Sequence, residues 1–155
     1  MARQQEPIIS RMAIAGHPLH PMLIHFPVAA LIGVLGADAG YLLTEDDFWA
    51  RAGLWLAGIG AAGGWLSGLI GLVDLVSVRH TRRLITAWCH ALVAVMLLSV
   101  ASFNFLLRYT AEDITAVILP WGLGLSLLTA ALTAAAGVLG GQLVYEHAVG
   151  VSAEE

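Results

Sequence analysis

The chain has 155 residues, of which 59% are hydrophobic and only 12% are charged, and its mean hydropathy is +0.82. Soluble domains usually carry about 25% charged residues, so this composition excludes a water-soluble enzyme and indicates a protein that crosses a membrane several times. The formal net charge is −4, and the charged residues lie between long apolar runs. No basic surface could follow a phosphate backbone, which excludes nucleic-acid binding.

The N-terminal stretch lacks the features of a cleavable signal sequence. Residues 1–16 mix Arg3, Glu6, Pro7 and Arg11 with short apolar patches and contain no continuous apolar core. We therefore expect the first long apolar run to act as an uncleaved membrane anchor.

A motif rich in histidine and proline leads into that run. The sequence from Gly16 to Pro27 reads GHPLHPMLIHFP and holds His17, His20 and His25. Because the residue before a proline is pushed toward extended geometry, we expect His17 and His20 to lie on irregular backbone. Pro27 suits the first turn of a helix, where its missing N–H costs nothing, so the first helix can begin as late as this residue.

Four apolar segments are each long enough to cross a bilayer, which takes about 20 helical residues. They cover residues 22–43, 50–76, 84–107 and 116–143, and the short connections between them hold most of the charge. No room remains for a second domain, so we treat residues 1–155 as a single membrane domain. The predicted fold is all-α, an antiparallel bundle of four transmembrane helices.

The arginines predict the orientation of this bundle in the membrane. Four crossings bring both termini to one side, here called end A, which holds five of the seven arginines: Arg3, Arg11, Arg79, Arg82 and Arg83. The opposite side, end B, holds Arg51 and Arg108. By the positive-inside rule, the sequence predicts a multi-pass protein of the plasma (inner) membrane with both termini in the cytoplasm.

Glycines recur at a spacing of four residues within the apolar segments. The pairs are 36 and 40, 60 and 64, 64 and 68, and 137 and 141. Small residues at this spacing allow helix backbones to approach closely in lipid. They serve either packing within the bundle or, alternatively, the seam of a homodimer.

All six histidines map to end A. Besides the three in the entry motif, His80 lies in the loop after helix 2, His90 lies early in helix 3 and His147 follows helix 4. Helices 1 and 3 run parallel, so we expect His25 and His90 to lie at similar depths, within about one turn of each other. Imidazoles near helix N-termini stay neutral and keep a nitrogen lone pair.

Neutral imidazoles on facing helices can bind haem iron axially or hold a transition-metal ion. The sequence therefore predicts a cofactor, haem b or a transition metal, bound mainly through His25 and His90, with His20 and His147 in support. His17 is a further candidate metal ligand. The opposing hypothesis is that each histidine only hydrogen-bonds a neighbouring carbonyl or carboxylate inside the bundle.

Two carboxylates interrupt the apolar helices, where ionisable groups are costly and usually face a partner in the bundle interior. Asp74 lies near end A, at the depth of the histidines, where it either orients an imidazole or binds the metal itself. The alternative is an ion pair with Arg79 or Arg82. Asp38 lies toward end B, apart from the histidines, and the candidates for its partner are Arg51, Arg108 or a serine or threonine hydroxyl.

The single cysteine, Cys89, excludes an internal disulfide and any zinc or iron–sulfur site built on cysteines. It adjoins His90, but consecutive helical residues point about 100° apart. We therefore expect a small buried apolar residue rather than a co-ligand. No nucleophile–base spacing is evident, so the sequence leaves open whether the protein is an enzyme.

Several of these features resemble one family. They are the GHPLHPMLIHFP motif, the GLVD step at 71–74, the isolated His90 and the ending GGQLVYEH at 140–147. The family is the bacterial membrane-protein family catalogued as domain of unknown function 2231, and the resemblance covers essentially the whole chain. It implies a four-helix inner-membrane domain whose members sometimes occur with Rieske or cytochrome-type domains, which suggests redox work and a redox protein partner by analogy only.

Two hypotheses of different classes follow. In the first, the protein resembles a b-type cytochrome or binds a metal, and takes part in electron transfer. In the second, it is a small membrane scaffold or subunit whose histidines are structural and hold no cofactor. A transporter is disfavoured, since the chain shows neither an obvious inverted repeat nor polar residues spaced through the bilayer.

Overall fold

The computed structural model describes residues 8–151 and confirms the all-α fold. Its four long helices are α1 (Leu19–Thr44), α2 (Asp47–Ser77), α3 (Ile85–Thr110) and α4 (Leu123–Tyr145). All four are long and apolar enough to cross a membrane, when the short helical turns from Thr115 are counted with α4. Short connections make sequential helices antiparallel, as the sequence predicts.

Each helix packs against its two neighbours around the bundle, and the α1–α2 contact is the most extensive. Glycines on α2 make close packing possible. A Cβ atom on Gly60 would lie 2.5 Å from the side chain of Leu31 on α1, and Leu98 on α3 fills the space that a Cβ atom on Gly64 would need. These glycines therefore serve packing within the bundle, one of the two predicted roles.

Apart from the buried hydroxyls of Thr129 and Thr133 on α4, the middle of the bundle is apolar. A buried cluster joins all four helices and separates the polar groups near end A from those near end B; its members are Leu31, Ala61, Leu97 and Ala101, with Leu132 and Ala136 packed against them.

Helix α1 begins at Leu19, earlier than the sequence predicts. His17 has the extended geometry expected before a proline, but it lies in a short strand rather than on irregular backbone. His20 is the second residue of the helix. Pro21 is tolerated because the first helical N–H groups have no partner within the helix. Pro27 lies buried inside the helix, a position that transmembrane helices accept more readily than soluble ones.

The described chain ends meet at end A. Strands β1 (Ala13–Ile14) and β2 (His17–Pro18) form a small hairpin before α1. The N–H of Ile8 donates to the carbonyl of Ala148 (3.0 Å), and the N–H of Gly150 donates to the carbonyl of Ile8 (2.9 Å). The four crossings thus return the chain to the side where it starts.

The fourth span is not one continuous helix over 116–143. A 3₁₀ turn (Thr115–Val117) and a π-helical turn (Ile118–Gly122) precede α4. Leu119 is extended, with φ −112° and ψ 136°, because the ring of Pro120 disfavours helical geometry in the residue before it. The regular helix starts only after this break.

Candidate functional site

A pair of histidines faces each other inside the bundle near end A. His20 on α1 and His90 on α3 have ring centroids 6.3 Å apart, and their ring planes are nearly perpendicular at 88°. Both side chains are half-buried. The parallel course of α1 and α3 places both rings within two turns of the helix starts.

Hydrogen bonds fix the tautomer of both rings. Nδ1 of His20 donates to the carbonyl of Ser67 on α2 (2.8 Å), and Nδ1 of His90 donates to the carbonyl of Ala136 on α4 (3.0 Å). A carbonyl oxygen only accepts, so Nδ1 carries the hydrogen in each ring. In the neutral imidazole, Nε2 then keeps its lone pair.

Glycines let the two rings lie against helix backbone. A Cβ atom on Gly71 of α2 would lie 2.9 Å from Nδ1 of His20, and one on Gly140 of α4 would lie 3.3 Å from Cε1 of His90. Ser67 is fully buried beside His20. All four helices therefore contribute to the surroundings of the histidine pair.

The predicted facing of His25 and His90 is not found, since His20 takes the place of His25. His25 is exposed on the surface of α1. It follows His20 by five residues, which turns its side chain about 140° around the helix. The other three histidines also lie apart from the pair. His17 is exposed and donates from Nδ1 to the carbonyl of Ala15. His80 is exposed in the α2–α3 loop, and His147 is half-buried beyond α4.

Asp74 has a different role from those predicted. Its carboxylate accepts hydrogen bonds from the hydroxyl of Ser10 and from the backbone N–H groups of Arg11 (2.8 Å) and Met12 (3.0 Å). Within the described residues it bonds neither an imidazole nor Arg79 or Arg82. Asp74 thus ties the segment before β1 to the end of α2.

The described part of the chain contains no group of three or more His, Cys, Asp or Glu side chains arranged to hold a metal ion. Of the predicted ligands, the described structure brings together the rings of His20 and His90. Cys89 is exposed and free, contrary to the expectation of burial. It points away from the interior because it precedes the inward-facing His90 by one residue.

A second polar centre lies inside the bundle toward end B. Arg108 on α3 and Asp38 on α1 form a bidentate ion pair, with Nη1–Oδ1 and Nη2–Oδ2 distances of 2.8 Å. The two side chains are only 0% and 1% exposed. Asp38 therefore lies apart from the histidines and bonds one of its predicted partners.

Neighbouring polar groups complete this ion pair. Nε of Arg108 donates to Oδ1 of Asn104 (2.9 Å), and Nδ2 of Asn104 donates to the hydroxyl of Ser126 (3.1 Å). The hydroxyl of Ser126 lies 2.6 Å from Oδ2 of Asp38. Asp38 thus takes both an arginine and a hydroxyl, which the sequence offered as alternatives.

The bundle makes room for the large guanidinium group with two glycines. A Cβ atom added to Gly53 of α2 would lie 2.8 Å from Nη1 of Arg108. One added to Gly122, at the break before α4, would lie 2.9 Å from Nη2. The sequence predicts that helix 3 ends at residue 107, which leaves Arg108 in a loop, whereas α3 continues to Thr110. The spacing of Asn104 and Arg108, one helical turn apart, is the signal that identifies them as one face of a longer helix.

The four apolar helices, with a half-buried histidine pair and a buried ion pair between them, define a polytopic membrane protein. The family described as "Predicted membrane protein (DUF2231)" matches residues 16–153, and the chain belongs to this family. No curated protein and no solved structure matches the chain.

Proposed function

We propose that this protein binds haem b or a transition-metal ion between His20 and His90 and serves in electron transfer at end A. The observation that supports this is the pair of inward-facing imidazoles whose Nδ1 atoms are both committed to backbone carbonyls. Metal-binding histidines usually donate their other ring N–H to such an acceptor, which fixes the ring and makes the ligating nitrogen more basic.

The donor set favours haem over a bare ion. A structural metal ion commonly takes four protein ligands, and the described residues offer two facing imidazoles. Haem would bring ring nitrogens of its own to the iron, so His20 and His90 would be sufficient to hold it. When bound, haem would supply one-electron chemistry, and the chain would tune it through the two ligands and the apolar surroundings.

The spacing of the two rings fits the same proposal. A metal held by both residues needs two imidazoles at close range, which His20 and His90 would supply. The ring centroids of His20 and His90 are 6.3 Å apart.

A scaffold with structural histidines is the alternative, and one observation favours it. Each imidazole already has a hydrogen bond, and the two rings pack edge to face without any added group. In that case the free Nε2 lone pairs serve no ligand. The two proposals differ in one measurable property, the presence of a bound metal centre.

The test is the visible spectrum and metal content of detergent-purified protein from cells supplied with iron and a haem precursor. We expect a Soret band and a reduced-minus-oxidised difference spectrum typical of a bis-histidine b-type haem. The His20→Ala and His90→Ala variants should both lose the band, because each removes an axial ligand.

His25→Ala is the matched control, since it removes an exposed histidine from the same helix. It should keep the spectrum, as should His80→Ala. Colourless and metal-free wild-type protein would overturn the proposal in favour of the scaffold. Loss of the centre in His25→Ala but not in His20→Ala would overturn the assignment of ligands.

We also propose an orientation with both termini in the cytoplasm, which places the histidine pair near the cytoplasmic leaflet of the inner membrane. Burial of Arg108 supports this orientation. The positive-inside rule counts arginines in loops, and a buried Arg108 leaves only Arg51 to be counted at end B. A redox protein partner would then dock at end A. A homodimer remains a further prediction from the glycine spacing. A reporter fused after Glu155 that is active only in the periplasm would overturn the orientation.

A further inference from the structure

The loop between α2 and α3 presents a compact group of basic side chains at end A. Its four exposed members are Arg79, His80, Arg82 and Arg83. Backbone hydrogen bonds hold the loop: Arg82 N–H donates to Val78 (3.0 Å), and Arg83 N–H donates to His80 (3.1 Å). The side chain of Thr81 is buried beneath it. The basic groups therefore project from an ordered turn.

The N-terminus of α3 follows these residues directly. Leu84 occupies the N-cap position, so no side chain caps the first N–H groups of this helix, and its first turn contains no acidic residue. Uncapped helical N–H groups and the helix dipole both favour an anion at this end. The arginines and the start of α3 thus add up to one positive site.

No acidic side chain neutralises this site within residues 8–151. The ion pair of Arg108 and Asp38 is the salt bridge found there, and it lies toward the opposite end of the bundle. Asp74, the nearest carboxylate along α2, is committed to residues 10–12. Nη1 of Arg82 donates to the carbonyl of Val76 (3.4 Å). Its remaining N–H groups, and the guanidinium groups of Arg79 and Arg83, are available to an external anion.

Exposed apolar residues place the basic group at the level of lipid headgroups. Ile85 is 80% exposed and Trp88 is 47% exposed on the first turns of α3. The indole N–H of Trp88 donates to the carbonyl of Arg82 (2.9 Å). Tryptophan concentrates at membrane–water interfaces, with its ring in the apolar boundary and its N–H toward polar groups. The arginines therefore lie just outside the hydrocarbon layer.

We propose that Arg82, Arg83 and the N-terminus of α3 bind the phosphate of an anionic phospholipid headgroup, with Arg79 and His80 adding charge around it. A guanidinium group binds phosphate with paired hydrogen bonds, and basic pockets beside transmembrane helices are known lipid sites. The acyl chains of such a lipid would pass along the exposed side chains of Ile85 and Trp88. This site is independent of any cofactor at His20 and His90.

The test measures lipid binding to the purified full chain in a neutral detergent by native mass spectrometry. Phosphatidylglycerol and phosphatidylcholine with the same acyl chains are the two probes. We expect the wild type to retain phosphatidylglycerol preferentially. Arg82→Gln and Arg83→Gln should each weaken that binding about five-fold, the effect expected of one arginine near an anionic surface.

Arg51→Gln is the control, because it removes an exposed arginine from end B, and it should leave retention unchanged. Equal retention of the two lipids by the wild type would overturn the proposal, as would an equal loss in Arg51→Gln. Inorganic phosphate that displaces the lipid at equal concentration would show a site for free anions and overturn it too. Should the glutamine variants fail to fold, wild-type binding that does not weaken with added salt would overturn it.

Discussion

The two polar centres differ in how their side chains find bonding partners inside the bundle. Toward end B, a full positive and a full negative charge neutralise each other, and the three guanidinium nitrogens of Arg108 and both oxygens of Asp38 have partners. Near end A, the rings of His20 and His90 have no partner of opposite charge within residues 8–151, and each uses one nitrogen there. The ion pair of Arg108 and Asp38 has all its bonding groups satisfied within the chain. In the histidine pair, Nε2 of each ring is left to bind something else.

Under the proposed function, this difference separates a structural centre toward end B from a binding centre near end A. A buried network that satisfies its own groups makes the helix arrangement specific, and it is costly to break because the group left behind keeps its charge. A half-used pair of imidazoles loses little when one ring is removed, but it loses the capacity to bind. Substitutions at the two ends should therefore act on different properties, stability at one end and ligand binding at the other.

The largest effect is expected from breaking the ion pair. Arg108→Met should destabilise the bundle by about 3–5 kcal/mol, because it leaves Asp38 as an unpaired buried charge. The measurement is unfolding of the purified protein by denaturant in detergent. Arg51→Met, an exposed substitution at the same end, should change stability by less than about 0.5 kcal/mol.

The double variant Asp38→Leu with Arg108→Met sharpens this prediction. Removing both charges should recover much of the lost stability, since a buried pair can often be replaced by apolar side chains without loss. A double variant as unstable as the sum of its single variants would contradict the view that the unpaired charge causes the damage.

A smaller and local effect is expected at Asp74. Asp74→Asn should weaken the attachment of the segment before β1 by about 1–3 kcal/mol, because that carboxylate accepts three hydrogen bonds from residues 10–12. Amide hydrogen exchange of Arg11 and Met12 should become faster, while exchange in the middle of α3 stays slow. A change confined to the spectrum of a bound centre would instead support the predicted role of Asp74 beside an imidazole.

At the histidine pair, a substitution should have a small effect on stability and a large effect on ligand binding. His90→Ala removes one hydrogen bond to the carbonyl of Ala136, which corresponds to about 1 kcal/mol of stability. Ligand binding should be abolished in the same variant. A loss of stability comparable to that of Arg108→Met, measured in the same denaturant titration, would show that the pair is a structural centre after all.

The smallest effect concerns the loop at end B. The hydroxyl and the N–H of Thr115 donate to Oδ1 of Asp113 (2.7 and 2.9 Å), and these bonds lower the pKa of that carboxyl below its ordinary value. The contribution to stability is present above the ordinary pKa of aspartate and is lost as pH falls through the lowered pKa.

Thr115→Ala removes the larger of the two causes, so the pKa of Asp113 should move up toward its ordinary value. Thr115→Ser keeps a hydroxyl and should keep the pKa low. Titration of the Asp113 carboxyl carbon by NMR measures both variants. An identical titration curve in Thr115→Ala would contradict the assigned cause.

The sequence predicts the spans well because their apolar runs are long and leave no alternative in a bilayer. It also places the histidines at one end, since loop order alone decides this. It does not select His20 over His25, because that choice depends on where α1 starts, and each residue of helix turns a side chain by about 100°. The proline motif predicts that the helix starts later than it does, since α1 begins at Leu19.

The burial of Arg108 escaped prediction for a related reason. Hydropathy ends helix 3 just before this residue, whereas the structure continues α3 to Thr110. Only a partner on another helix makes that extension favourable in lipid, and the identity of the partner depends on the fold. The sequence does indicate the ion pair once Asp38 and Arg108, two charged residues near the same end of the bundle, are considered together as partners.

The separation of these two charges along the chain has a consequence for synthesis. Arg108 follows Asp38 by 70 residues, which at about 5–20 residues per second corresponds to roughly 4–14 seconds of translation. Helix α1 can therefore leave the ribosome before its counter-charge has been made. We therefore expect α1 to stay beside the insertion machinery until α3 arrives, so that the helices enter the lipid as a group rather than one at a time.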